Sequence, residues 1–170
     1  MKYTDVNFMN TQSFQIDIPL APSVSEWVQS VSVPGITLGE ANIETPFVRQ
    51  PEPGDKLIFS PLSFSFIVDE EMKNWTEMFN WMMALGFPEN LQQYGVMPHS
   101  VNRVSDLQVT CDINLLVFNN QTKPILKFKL FGCFPIALGD MPLNVAGTDS
   151  EIPICTGDLM YRNYVVETIT

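Results

Sequence analysis

The side chains that ordinarily carry chemistry are few and scattered. His99, the single histidine, sits in a proline-containing loop, with no serine elbow or cysteine dyad in the sequence to complete a nucleophile–base pair. Cys111, Cys133 and Cys155 are widely spaced. They lack the paired spacing of a zinc site, argue against a disulfide framework, and read as small core hydrophobes in a reducing compartment. Asp149-Ser150-Glu151 lacks the remaining ligands of a calcium loop, and the glycines form neither GxGxxG nor GxxxxGK. The adjacent carboxylates Glu70 and Glu71 are better explained by a helix dipole than by proton transfer. Asn74 (NWT) and Asn120 (NQT) match glycosylation sequons, which read as chance without a secretion signal. No cofactor or metal is expected, and a structural or interaction protein is favoured over an enzyme using carboxylates such as Glu70, Glu71 or Asp112.

Composition points toward contact with protein. The chain has 170 residues, 45% hydrophobic and 16% charged, where an average soluble domain carries about 25% charged residues. That leaves too few charges to coat a monomer. With 12 Phe and 9 Met, large apolar side chains exceed what a small core holds, as they do in obligate subunit contacts; the alternative is a monomer with a rich core. The formal net charge of −10 disfavours direct DNA binding and an acidic membrane surface. MKYTDVNFMNTQ has no apolar signal core, and no apolar stretch approaches the roughly 20 residues of a membrane helix, so a soluble, unexported chain is expected.

The hydropathy pattern supplies the scaffold. In SFQIDIPL (13–20), Phe14, Ile16, Ile18 and Leu20 alternate with Gln15 and Asp17, a half-buried strand. After a turn at Pro22, residues 26–33 place Trp27, Val31 and Val33 in one phase and stop at Pro34-Gly35. A third extended segment, 36–48, leads to RQPEPGD (49–55), whose prolines predict an exposed loop between two strands. Strand resumes at Lys56, with Leu62, Phe64, Phe66 and Val68 facing one way.

The period then changes. Asp69 as N-cap, the acids after it and the stop at Gly86 and Pro88 predict a helix over 70–85. Its apolar residues, Trp75, Met78, Phe79, Trp81 and Met82 among them, span about 200°, wider than one core requires. Trp75 reads as a core residue, and Trp81, at the edge of the arc, as an interface residue. Residues 87–105 form a long loop of the kind that is usually functional. Strands follow at 106–118, where Leu107, Val109, Cys111, Ile113, Leu115 and Val117 alternate with Gln108, Thr110, Asp112 and Asn114, and at 124–133, with a hairpin between them. A looped 139–151 precedes a last strand at 153–168.

Six to eight strands around one helix predict a mainly β chain, an antiparallel β-sandwich or barrel in a single domain over 1–170, with an extended arm at about 36–60. A barrel using its interior aromatics as a small-ligand pocket is the alternative within that fold.

The order of the motifs SFQIDIP, VSVPGI, TPF with PGDKLIF, PLSFSFIVDEE, NWTEMFNWMMALG and FxxFPxxLGDxPL resembles the tail tube proteins of contractile-tailed, T4-like bacteriophages over about 13–168. The resemblance implies a non-enzymatic virion protein, assembled in the host cytoplasm. It would form hexameric rings that stack into the inner tail tube, the conduit through which DNA passes without specific binding. Its partners would be itself, the tail sheath protein, and baseplate, initiator and terminator proteins. A baseplate tube initiator, or a tube subunit of a related injection or type VI-like system, is the alternative. On this reading Pro46, Phe47, Arg49, Pro51, Pro53, Gly54 and Asp55 are the inter-subunit arm, with 49–55 its tip. Trp75, Met78, Phe79, Trp81 and Met82 pack both core and neighbour, and Gln15, Asp17, Gln108, Thr110, Asp112 and Asn114 are candidates for an acidic lumen.

Overall fold

The computed structural model describes residues 12–86, 110–141, 143 and 152–169. Gln108, His99, the loop at 87–105, the opening of the expected 106–118 strand and most of 139–151 lie outside the described residues. In chain order the elements are β1 (Phe14–Asp17), α1 (Pro22–Glu26), β2 (Val28–Val31), β3 (Ile36–Glu44), β4 (Arg49–Phe59), β5 (Leu62–Ile67), α2 (Lys73–Gly86), β6 (Cys111–Phe118), β7 (Pro124–Leu138), β8 (Ile154–Met160) and β9 (Asn163–Thr168). Seven strands pair in the order β1-β6-β7-β8-β5-β2 with β9 also on β7, while β3 and β4 form a ribbon of their own. The pairings are all antiparallel, so the chain has the antiparallel, mainly β architecture its alternation predicts.

β7 belongs to two sheets. Its first part, Leu126 to Phe131, lies between β6 and β9, and its last part, Phe134 to Leu138, pairs with β8. The change of direction sits at Gly132, whose φ of 62° is a conformation that side chains disfavour. Opposite the single residue Asp112, β7 carries both Phe131 and Gly132, a bulge that bends the strand. The Asp112 carboxylate accepts the Gly132 N–H at 3.0 Å.

The core fills the space under this bend. Ile16, Leu62, Phe64, Phe66, Ile113, Leu115, Leu130 and Leu159 are buried with Met78 and Trp81 of α2, each large apolar side chain contributing about 1.5–3 kcal/mol through removal from water. All three cysteines are free and buried within this cluster, as small hydrophobes should be. Burial pushes the Cys111 and Cys133 thiols up to about 12.

Local departures from the sequence expectation have physical causes. The prolyl turn at Pro22 is a short helix, α1, so α2 is not alone. Pro22 begins α1, where its missing N–H costs nothing, and the Glu77 carboxylate of α2 accepts both Ser23 N (3.1 Å) and Ser23 Oγ (2.8 Å). A register shift between Val28 and Ser30 breaks the expected phase of β2: Val31 packs on the core as expected, but with Val28, while Trp27 and Val33 are exposed.

α2 starts at Lys73, later than expected, because Met72 takes a φ of 54° and no acid lies in the first turn. Glu71 instead pairs with Lys73, which holds its carboxyl below the usual range. The side chain that organises the junction is Asn74, fully buried. Its Oδ1 accepts Asp69 N (3.3 Å) and Trp75 N (2.8 Å), and its Nδ2 donates to Ile67 O at 2.7 Å. That burial makes its sequon inaccessible in the fold.

Candidate assembly interface

The β3–β4 ribbon departs most from an ordinary protein surface. Its strands run 9 and 11 residues, so it is roughly 30 Å long. Every residue of it is exposed except Gly39, Gly54 and Phe59, which are half-buried. Ile36, Leu38, Ile43, Val48, Leu57 and Ile58 are nonetheless large and apolar. The register sets Ile36 opposite Phe59 and Leu38 opposite Leu57, so these four share one face of the basal half. Phe59 aside, this apolar surface is left about half exposed or more by its own chain, the kind of patch that marks a protein contact.

RQPEPGD is strand rather than loop, and the tip is the turn at 45–48. Thr45 N donates to Val48 O at 3.3 Å, which makes Thr45–Val48 a bonded pair and leaves Pro46 and Phe47 as the two-residue connection. Counting back with period two, Asn42–Pro51 and Glu40–Pro53 fall on non-hydrogen-bonded positions, where a missing N–H is tolerated. Arg49 sits beside the turn and pairs with Glu44 at 3.5 Å. Gly54 and Asp55 lie in a bulge opposite Gly39, and a Cβ on Gly54 would stand 2.5 Å from Gly39 O.

The root of the ribbon is fixed. Phe59 packs on Tyr161 and Tyr164 at 5.9 and 5.7 Å between ring centres. The hydroxyls of those tyrosines donate to Ser60 O (2.8 Å) and Pro34 O (3.3 Å), and burial pushes the Tyr161 phenol up to about 12. The sequence offered an exposed arm but gave no signal for these tyrosines, because their partners lie about 100 and 130 residues away in the chain.

The helix residues divide between core and surface, with the tryptophans exchanging their expected roles. Trp81 and Met78 are fully buried. Trp75 is half-buried, stacked on the exposed Phe79 at 5.2 Å. Together with Met82, Met83, Leu138 and Met141 they line an apolar cleft of about 660 Å³.

Of the lumen candidates, Gln15, Asp17, Asp112 and Asn114 share the outer face of β1-β6-β7-β9, with Thr110 just before β6. Gln108 lies outside the described residues. In the same rows stand Lys127, opposite Leu116 and Glu167, and Lys129, opposite Asn114 and Val165. The face is therefore mixed in charge rather than acidic. Sequence spacing could not show which strands share it, because that depends on pairing between β1, β6, β7 and β9.

Among the described residues no group of three or more His, Cys, Asp or Glu is placed to hold a metal ion. No helix there is long and apolar enough to cross a membrane.

Comparison with known proteins agrees with this geometry. The family described as "Phage tail tube protein" matches residues 6–167. The tail tube terminator protein of Enterobacteria phage T4 is 26% identical over 167 residues, covering 95% of this chain and 90% of that protein. Among solved structures, the sheath/tube terminator of an extracellular contractile injection system (PVC, extended state) superposes with a TM-score of 0.61 at 16% identity, covering 96% of this chain and 99% of that one. The tube terminating cap of the anti-feeding prophage gives 0.60 at 15% identity, covering 99% and 97%. The PVC sheath–tube complex gives 0.59 at 16% identity, covering 95% and 92%. At these identities the structural likeness is one of fold. The T4 relative is named as a tail tube terminator rather than as a main tube subunit. The chain belongs to the phage tail tube protein family.

Proposed function

We propose that this protein terminates a phage tail tube: copies of the chain close into a hexameric ring that caps the tube and leaves a bore for DNA. The observation that carries the reading is the β3–β4 ribbon, whose large apolar side chains, Phe59 at its root aside, are left about half exposed or more by their own chain. Two further features support it. β1 and β9 are the outer strands of β1-β6-β7-β9, each with one unpaired edge among the described residues. Because that sheet has an even number of alternating strands, β9 of one copy runs antiparallel to β1 of the next. Joining them would make one continuous sheet around the ring and remove edges that otherwise invite aggregation.

The six-fold count comes from the family resemblance, and the choice of terminator over tube subunit rests on the T4 relative. The outer face of the sheet, with Gln15, Asp17, Asp112 and Asn114, would line the bore. Its mixed charge would let DNA pass without being held. The partners are further copies, the last tube ring and the tail sheath. The location is the virion tail, assembled in the host cytoplasm, and no catalytic role is assigned.

Light scattering on the purified chain with negative-stain imaging tests this. Single closed rings are expected. Long tubes would make the chain a main tube subunit, and a monomer at high concentration would refute the reading.

A further inference from the structure

The tip of the ribbon has the form of an insertion device. Phe47 is 94% exposed, and its turn is held in shape, with Val48 N donating to Thr45 Oγ1 at 3.1 Å beside the Thr45–Val48 backbone bond. A large aromatic fixed on a short turn loses little entropy when a pocket receives it.

The cleft beside α2 has complementary chemistry. Trp75 and Phe79 form one wall, and Met82, Met83 and Met141 supply adaptable thioethers that pack well on aromatic rings. Its volume of about 660 Å³ is ample for a phenyl ring and the turn behind it. Among the described residues the buried Trp75 Nε1 donor has no acceptor, an arrangement that costs free energy.

Charge fits too. Arg49 follows the tip, and its pair with Glu44 is exposed at both partners, so exchanging it costs little. Asp140, exposed, lies on the rim of the cleft.

We propose that the ribbon tip of one copy seats Phe47 in the α2 cleft of the neighbouring copy, with Arg49 facing Asp140. The inference rests on the ring reading above and names the receptor for the arm. The contact is heterologous, so it closes a ring when the rotation between copies closes.

A charge-swap cycle on the full chain, with ring formation followed by light scattering, tests it. Arg49→Glu and Asp140→Arg should each weaken association about tenfold, and the double variant should restore it. Phe47→Ser should weaken association by about thirtyfold or more, as loss of a buried aromatic anchor does. Its near-ultraviolet spectrum should be unchanged, since Phe47 is almost wholly exposed in its own chain. Oxidation of a mixture of Phe47→Cys and Met83→Cys chains should give a cross-linked heterodimer that neither variant gives alone. Rings that form normally with Phe47→Ser, or a double swap no better than the singles, would overturn the inference while leaving the ring intact and would assign the cleft to another protein. A wild-type chain that never associates would overturn both readings.

Discussion

Replacing Asn74 tests the most concentrated piece of local design in the molecule. Asn74→Ala removes three hydrogen bonds at once: the donation to Ile67 O at 2.7 Å and the acceptances from Trp75 N at 2.8 Å and Asp69 N at 3.3 Å. Each of the two short bonds is worth about 0.5–1.5 kcal/mol net, and a buried backbone group left unpaired adds a penalty toward 1–3 kcal/mol. The 3.3 Å bond contributes least. The expected loss is about 2–4 kcal/mol, a large fraction of the 5–15 kcal/mol that typically separates folded from unfolded states. For a chain of this size that lowers Tm by roughly 5–15 °C.

Urea titration by circular dichroism measures it, with a lower midpoint and an unchanged slope. Amide exchange should accelerate at Asp69 and Trp75 ahead of the strands. Asn74→Asp gives a second reading. The introduced carboxyl is buried, so its folded-state pKa lies above the unfolded value near 3.9. The protonated form is tolerated below that value, and stability falls as pH rises toward neutrality. A loss under 1 kcal/mol for Asn74→Ala, with exchange at Asp69 and Trp75 unaltered, would refute the assignment of Asn74 as the clasp between β5 and α2.

The other expectations separate folding from assembly. Trp81→Ala should cost about 3–5 kcal/mol, as for a fully buried large aromatic. Trp75→Phe should stay within about 1 kcal/mol, because the lost ring area is offset by removing an unpaired buried N–H; equal effects in chemical denaturation would contradict the burial difference. Gly54→Val forces a Cβ to within 2.5 Å of Gly39 O and should abolish ring formation while shifting the urea midpoint by less than about 0.5 kcal/mol equivalent, since the ribbon meets the core only at its root, through Phe59. Cys111 and Cys133 titrate at about 12 in the fold, above the 8.5 or so of an unfolded thiol. Their contribution is intact below pH 8.5 and is lost between there and pH 12, at up to about 1.4 kcal/mol per unit per thiol. Alkaline melting curves check this, and Ellman's reagent at pH 8 should label the native protein only at the rate of opening.

The strands that packed as read are those whose alternation no neighbour interrupts: Ile16 and Ile18, Leu62 to Val68, and Ile113 to Val117. Sequence reasoning failed where pairing geometry overrides composition. Pro51 and Pro53 looked like a loop because proline excludes central strands, and parity in a two-stranded ribbon removes that objection. Trp75 and Trp81 could not be sorted from the helix alone, because the centre of the apolar arc is set by where α1, through Ser23 and Glu77, holds α2 against the sheet. Asp112 was legible as a polar residue between buried neighbours, but not as the acceptor that steadies Gly132. The arm was legible as an extended segment running into a proline-rich stretch, and through the family resemblance; its tip and the tyrosines at its root were not.

β1 and β9, whose outer edges are unpaired among the described residues, are also the first and last of the described strands in chain order. If the ring junction proposed above forms, a chain still in synthesis would carry β1 but not β9, so it could offer only one of the two edges that a closed ring needs.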